Sequence, residues 1–109
     1  MQNKEFIICA ANYYNDGQKY EGQPLGTPTT GFVVCGRRHH NCIFIFAKIV
    51  GFPYDENGLR IMRTEVQGFL TNTNRFVTRK QALEIARNAN QIITGEGNHR
   101  LGLFSEDLY

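Results

Sequence analysis

The chain has 109 residues, 41% of them hydrophobic and 20% charged, which bounds it to one ordinary globular domain with a modest core. A net charge of +2 excludes bulk binding to DNA or RNA, which needs many phosphate contacts at once. Three cysteines (Cys9, Cys35 and Cys42) without framework spacing argue against a disulfide scaffold and for a reducing compartment. The first apolar run is too short for a signal peptide or a membrane span, so a cytoplasmic protein is expected.

Phe6 to Ala11 reads as a buried strand, and Asn15-Asp16-Gly17 as a turn whose residues tolerate positive φ. Gln18 to Glu21 suggests a short returning strand. Gly22 to Thr30, rich in Gly, Pro and Thr, is a loop. Gly31 to Cys35 is a second buried strand. Arg37 to Val50 is long enough for a helix, although its β-branched and aromatic content also suits a long strand. As a helix it is apolar on nearly every side, which in so small a domain points to a subunit interface.

Gly51 to Gly58 is a loop, and Thr64 to Thr71 a strand. Asn72-Thr73-Asn74 forms a polar turn, and Arg75-Phe76-Val77 leads into a helix from Arg79 to about Asn90. Thr78 and Gln81 have the spacing of a capping box, with Ala82, Leu83, Ala86 and Ala89 on the inner stripe. Thr94 to Asn98 is a loop, and the glycines and Arg100 between Gly95 and Gly102 would let it close over a ligand. Apolar residues at both ends of Leu103–Tyr109 predict a docked tail. The expected fold class is α+β, a small antiparallel sheet packed with two helices, in a single domain spanning 1–109 that assembles into oligomers.

Chemistry concentrates in two places. The run Gly36-Arg37-Arg38-His39-His40-Asn41-Cys42 sits between two apolar segments. At a helix start, Arg37, Arg38 and two histidines repel one another, and an incoming phosphate or carboxylate would relieve that repulsion. Cys35, His39 and Cys42 offer soft ligands, but adjacent histidines diverge by about 100° on a helix and no second ligand pair is present, so no metal is expected. Thiol or histidine catalysis lacks an orienting carboxylate, and cysteines inside apolar runs usually pack as small hydrophobes. Acid–base hydrolysis by His39 or His40 stays open. Cations also cluster at Arg60 with Arg63 and at Arg75, Arg79 and Lys80.

The second place is Gln67 to Val77. Gly68 allows close backbone approach, Phe69 and Phe76 offer flat rings, and Asn72 and Asn74 carry paired donors and acceptors. Arg75 adds a cation that stacks or holds phosphate. Together these suit a nucleotide; equally, the Asn residues could serve the turn and the Phe residues the core.

The blocks Gly36–Cys42, Gln67–Thr71 and Asn74–Val77 with its following helix, then Ser105–Tyr109, occur in an order that resembles the first class of phage Thoeris anti-defence proteins, over about residues 30–109. The resemblance implies a phage protein in the host cell cytoplasm that needs no cofactor and is not an enzyme. It would bind a cyclic ADP-ribose isomer made by bacterial TIR-domain enzymes and hold it intact, as a sponge. Some relatives also capture the cyclic oligonucleotides of CBASS immunity. Family members form dimers or larger rings with pockets between subunits. The expected ligand-binding residues are then Arg37, Arg38 and Arg75 toward phosphate, Phe69 or Phe76 on adenine, Asn72 or Asn74 on ribose or base, and His39 and His40 as positioning groups. A small phage hydrolase or phosphodiesterase using His39 and His40 is the alternative. A protein that binds a host protein through its aromatic surface is a third reading. No nucleic-acid or membrane partner is expected.

Overall fold

The computed structural model describes residues 4–50, 65–94 and 102–109. The expected loop at 51–58, residues 95–101 of the expected Thr94–Asn98 and Gly95–Gly102 loop, and Arg60, Arg63 and Arg100 lie outside them.

Among the described residues the elements are β1 (Ile7–Tyr14), β2 (Phe32–Gly36), α1 (His39–Val50), β3 (Glu65–Thr71), β4 (Phe76–Thr78) and α2 (Arg79–Asn88), closed by a 3-10 turn at Ser105–Asp107. The strands form one antiparallel sheet in the order β2-β1-β3-β4. This is the expected α+β architecture of a small antiparallel sheet with two helices.

Both helices lie on one face of the sheet: α1 packs on the β1–β2 half and α2 on the β3–β4 half. Their inner residues, Cys42 and Phe46 from α1 and Ala82, Leu83 and Ala86 from α2, share a core with Ala10, Tyr14, Phe69 and Val77. α2 starts where the capping box predicts: the Thr78 hydroxyl accepts from the Gln81 N–H, and the Gln81 side chain accepts from the Thr78 N–H. A cap of this kind contributes about 1 kcal/mol.

On the opposite face Ala11, Tyr13 and Phe76 form a smaller cluster, with Val33, Cys35 and Leu70 against it. The loop before β2 covers part of this face, because the Tyr13 hydroxyl donates to the Thr30 carbonyl. The same loop bonds to both sheet edges. At β2 the Gly31 N–H donates to Gln18 O (2.8 Å) and the Val33 N–H to Gln23 Oε1 (2.9 Å). At β4 the Phe76 N–H donates to Leu25 O (2.7 Å). Edges bonded in this way are poor templates for further strands.

The structure departs from the sequence expectations in three ways. Gln18–Glu21 forms no strand; its backbone serves the β2 edge instead. Phe76–Thr78 is a strand, because three residues suffice once β3 supplies a register from Gly68↔Thr78 to Leu70↔Phe76. α1 begins at His39, two residues late, because Arg38 acts as its cap: its N–H donates to Asn41 Oδ1 (3.0 Å) and its carbonyl accepts from the Asn41 and Cys42 N–H groups.

Candidate functional site

Gly36 to Asn41 turns the chain from β2 back over the sheet as α1, so Arg37 and Arg38 stand at the sheet edge. The tail from Ser105 docks against them. Arg38 donates to Ser105 Oγ (3.3 Å) and to the Tyr109 carbonyl, and pairs with Glu106 at 3.6 Å. The Tyr109 hydroxyl donates to the Arg37 carbonyl, and both guanidinium groups lie over its ring, 5.5 and 5.2 Å from the centroid for Arg37 and Arg38. Burial pushes the Tyr109 phenol above its ordinary range, as does the nearby Cys9 thiol. Arg38 is thus held inside the fold, whereas the exposed Arg37 keeps its guanidinium hydrogens available to a ligand.

The two histidines diverge as expected. His40 is exposed, with its ring edge-on to Phe44. His39 is buried, edge-on to Phe69, and lies between two groups of fixed polarity. Its Nε2 is 2.7 Å from the Gly68 carbonyl, which only accepts, and its Nδ1 is 3.3 Å from Arg79 Nη2, which only donates. That assigns the neutral tautomer with the proton on Nε2. Arg79 in turn donates to Gln67 Oε1 (2.6 Å) and to the Leu103 carbonyl (2.8 Å), and lies 4.5 Å over the Phe104 ring. Burial lowers the pKa of Arg79, partly offset by Glu106; a guanidinium stays protonated through such a shift. The network ties the starts of α1 and α2 to the sheet centre.

Sequence reasoning noted Arg79 and Gln67 but gave neither a role in a site. The available signal was a cation in the first turn of a capped helix, where the dipole disfavours it. Such a residue needs a compensating environment, here His39, Gln67 and a carbonyl.

The second constellation is built into the fold. Phe69 is 0% exposed in the main core, and Phe76 is 7% exposed, packed against Tyr13 at a ring separation of 6.3 Å. Gly68 allows the expected close backbone approach, since a Cβ there would collide with the Val77 carbonyl; it would also lie 2.8 Å from the Phe76 ring. Asn72 accepts from the Phe6 N–H (2.7 Å) and donates to the Lys4 carbonyl (3.2 Å), holding the N-terminal segment. Asn74 takes the turn position with φ 59°, a conformation Asn tolerates. Arg75 grips Glu5 through two bonds of 3.0 and 2.7 Å, and Thr71 and Thr73 add 2.8 and 2.7 Å contacts. These partners lower the Glu5 carboxyl to about 2, with the Arg75 bond the largest cause. A ligand role for Phe69, Asn72, Arg75 or Phe76 would require the hairpin to give up these contacts. His39 reaches the Gly68–Phe69 end of this constellation, whereas Arg75 bonds to Thr71, three residues further along β3 and about 10 Å away at ~3.3 Å per residue.

A groove that sequence reasoning also missed opens beside β2. It has a volume of about 510 Å³, within the range of small-molecule sites. Phe32, Phe46 and Tyr20 give it an aromatic lining, Ile45 and Ile49 of α1 flank it, and Asp16 and Gln23 add polar groups. Phe32 and Phe46 lie near-parallel at 6.2 Å, and Tyr20 meets Phe32 edge-on at 5.6 Å. Cys35 lines the same groove at its β2 wall, two residues before Arg37 in the chain; Arg37 and His40 are not among the lining residues. Eight Phe and five Tyr made aromatic surfaces expected, but only the fold brings these three rings together.

Among the described residues no group of three His, Cys, Asp or Glu is placed to hold a metal ion. Cys42 is buried on the helix side, while Cys35 packs on the other face. No helix among the described residues is long and apolar enough to cross a membrane.

The molecule is therefore a small α+β protein with a cationic corner and an aromatic groove along one β–α edge. Its sequence matches the family model described as phage T4 y16D protein over residues 6–109, and the chain belongs to that phage protein family. No curated protein and no solved structure matches it.

Proposed function

We propose that the protein is a non-enzymatic trap for an anionic cyclic nucleotide signal, first among them a cyclic ADP-ribose isomer. It holds the molecule intact and so keeps a host defence effector inactive. The observation that carries this reading is the aromatic groove beside β2, with the exposed Arg37 two residues beyond its Cys35 wall in the chain. The groove offers rings for a base to stack on, and Arg37, with His40 beside it, offers cationic donors to phosphate. The ring-stacking role expected of Phe69 or Phe76 passes to Phe32 and Tyr20, with the buried Phe46 behind Phe32. The occupied ring nitrogens of His39 favour capture over hydrolysis, because a general base needs a free lone pair facing its substrate. Capture without turnover rests on a slow off-rate and needs no nucleophile.

The trap works as a homodimer or larger oligomer. α1 exposes Phe44 (67%) and Ile49 (74%) together with Ile43 and Ile45, an apolar surface that a second subunit would cover.

The test is to incubate the protein with the cyclic ADP-ribose isomer, remove free ligand, denature by heat and chromatograph what is released. Intact ligand is expected. Cleaved ligand would establish the hydrolase reading through the exposed His40, and absence of binding to any cyclic nucleotide would leave a protein-binding role. Arg37→Ala should weaken capture about 10- to 100-fold, the worth of a lost charge-assisted contact. Light scattering should give a mass above the monomer, and Phe44→Glu should lower it.

A further inference from the structure

We propose that Cys9 and Cys35 form a thiol pair built to be oxidised by peroxide to an intramolecular disulfide, with Cys42 left untouched. The three cysteines have different surroundings. Cys42 is buried in α1, its thiol directed at the Ala10 and Arg38 carbonyls (3.6 and 3.5 Å), as expected of a packing residue. Cys9 and Cys35 are only partly buried and sit on adjacent strands. The register pairs Cys35 with Ala11, so Cys9, two residues before Ala11, is its diagonal neighbour on the same sheet face. β1 is irregular between Ile7 and Cys9, where its pairing with β3 slips by one residue. A bulge of this kind bends a strand and re-aims the side chains next to it.

Cys9 and Cys35 are thus side-chain neighbours across the β1–β2 pair, with the Gly36 backbone beside them. The Cys9 thiol is lowered to about 7, with its Cys35 neighbour the largest cause and the Gly36 N–H a further one, against the opposing effect of burial. Cys35 is raised for the reciprocal reason, since losing its proton would set a second anion against the first. This asymmetry divides the roles. Cys9 is the attacking sulfur, and Cys35, which lines the open groove, is the resolving one.

The chemistry balances. The Cys9 thiolate attacks one peroxide oxygen, the O–O bond breaks, and the departing hydroxide takes a proton to become water, leaving a sulfenic acid. Cys35 no longer has a thiolate to donate to, so the chief cause of its raised pKa is gone. It releases its proton and attacks the Cys9 sulfur, the S–O bond breaks, and a second water leaves with that proton. Two thiols are oxidised by two electrons to one disulfide, and one peroxide is reduced to two waters. The product links β1 to β2, the strand that lines the groove.

The three cysteines fall in separate tryptic peptides, bounded by Lys4 and Lys19, Lys19 and Arg37, and Arg38 and Lys48. The full chain is treated with a small excess of hydrogen peroxide, alkylated, digested without reductant and mapped by mass spectrometry. The expected result is a linked peptide joining Cys9 to Cys35, lighter by two hydrogens, with Cys42 alkylated. In Cys35→Ser, dimedone should capture a sulfenic acid on Cys9 at least ~10-fold faster than on Cys42. A linkage involving Cys42, a predominantly intermolecular disulfide, or equal oxidation of all three thiols would overturn the proposal.

Discussion

The β2–α1 turn and the β3–β4 turn resemble each other in composition, each with Arg and Asn beside an apolar strand, yet their arginines have opposite fates. Arg75 meets a carboxylate 70 positions away and is held by two charge-assisted bonds. Arg37 lies over a tyrosine face and stays exposed. A guanidinium paired with a carboxylate is neutralised, whereas one stacked on a ring remains a donor. The contrast separates an arginine whose donors are spent on the fold from one that stays exposed.

The strongest way to break that contrast is at the hairpin core. Phe69→Ala should cost about 3–5 kcal/mol in a denaturant melt, since it empties a fully buried site; a loss below about 1 kcal/mol would return Phe69 to the list of ligand-facing rings. Next comes the Arg75 clasp. Arg75→Ala should cost about 1–2 kcal/mol, allowing for the partial exposure of the pair.

The same clasp sets an acid dependence. Glu5 is lowered from 4.5 to about 2 in the folded protein, so its contribution is complete above about pH 4.5 and is lost as pH falls toward about 2. Glu5→Gln should flatten the stability profile across that window, and an unchanged profile would mean the clasp opens in solution. The smallest effect is expected at the corner. Arg37→Ala should change stability by less than about 0.5 kcal/mol, as befits an exposed side chain. A loss matching that of Arg75→Ala would make Arg37 another structural arginine.

Much of the fold was legible because it depends on local chemistry. Thr78 and Gln81 announce a helix start through bonds within one turn, and the apolar runs at Ile7 and Phe32 must be buried wherever the chain goes. Asn74 fits its turn because its own backbone requires it. The site was less legible. Arg75 and Glu5, His39 and Arg79, and the rings of Tyr20, Phe32 and Phe46 come together only through contacts between distant parts of the chain. The short β4 strand was invisible for the same reason, since three residues carry no period of their own and take their conformation from β3.

By itself, the sequence determined the α+β class, the capped second helix, the polar turn at Asn72–Asn74 and the divergence of His39 from His40, because each follows from backbone geometry over a few residues. Only the tertiary structure decided which cations stay available and which rings line a groove. A side chain's role depends on the partners that surround it, and in this protein those partners come from β1, the loop before β2 and the docked tail.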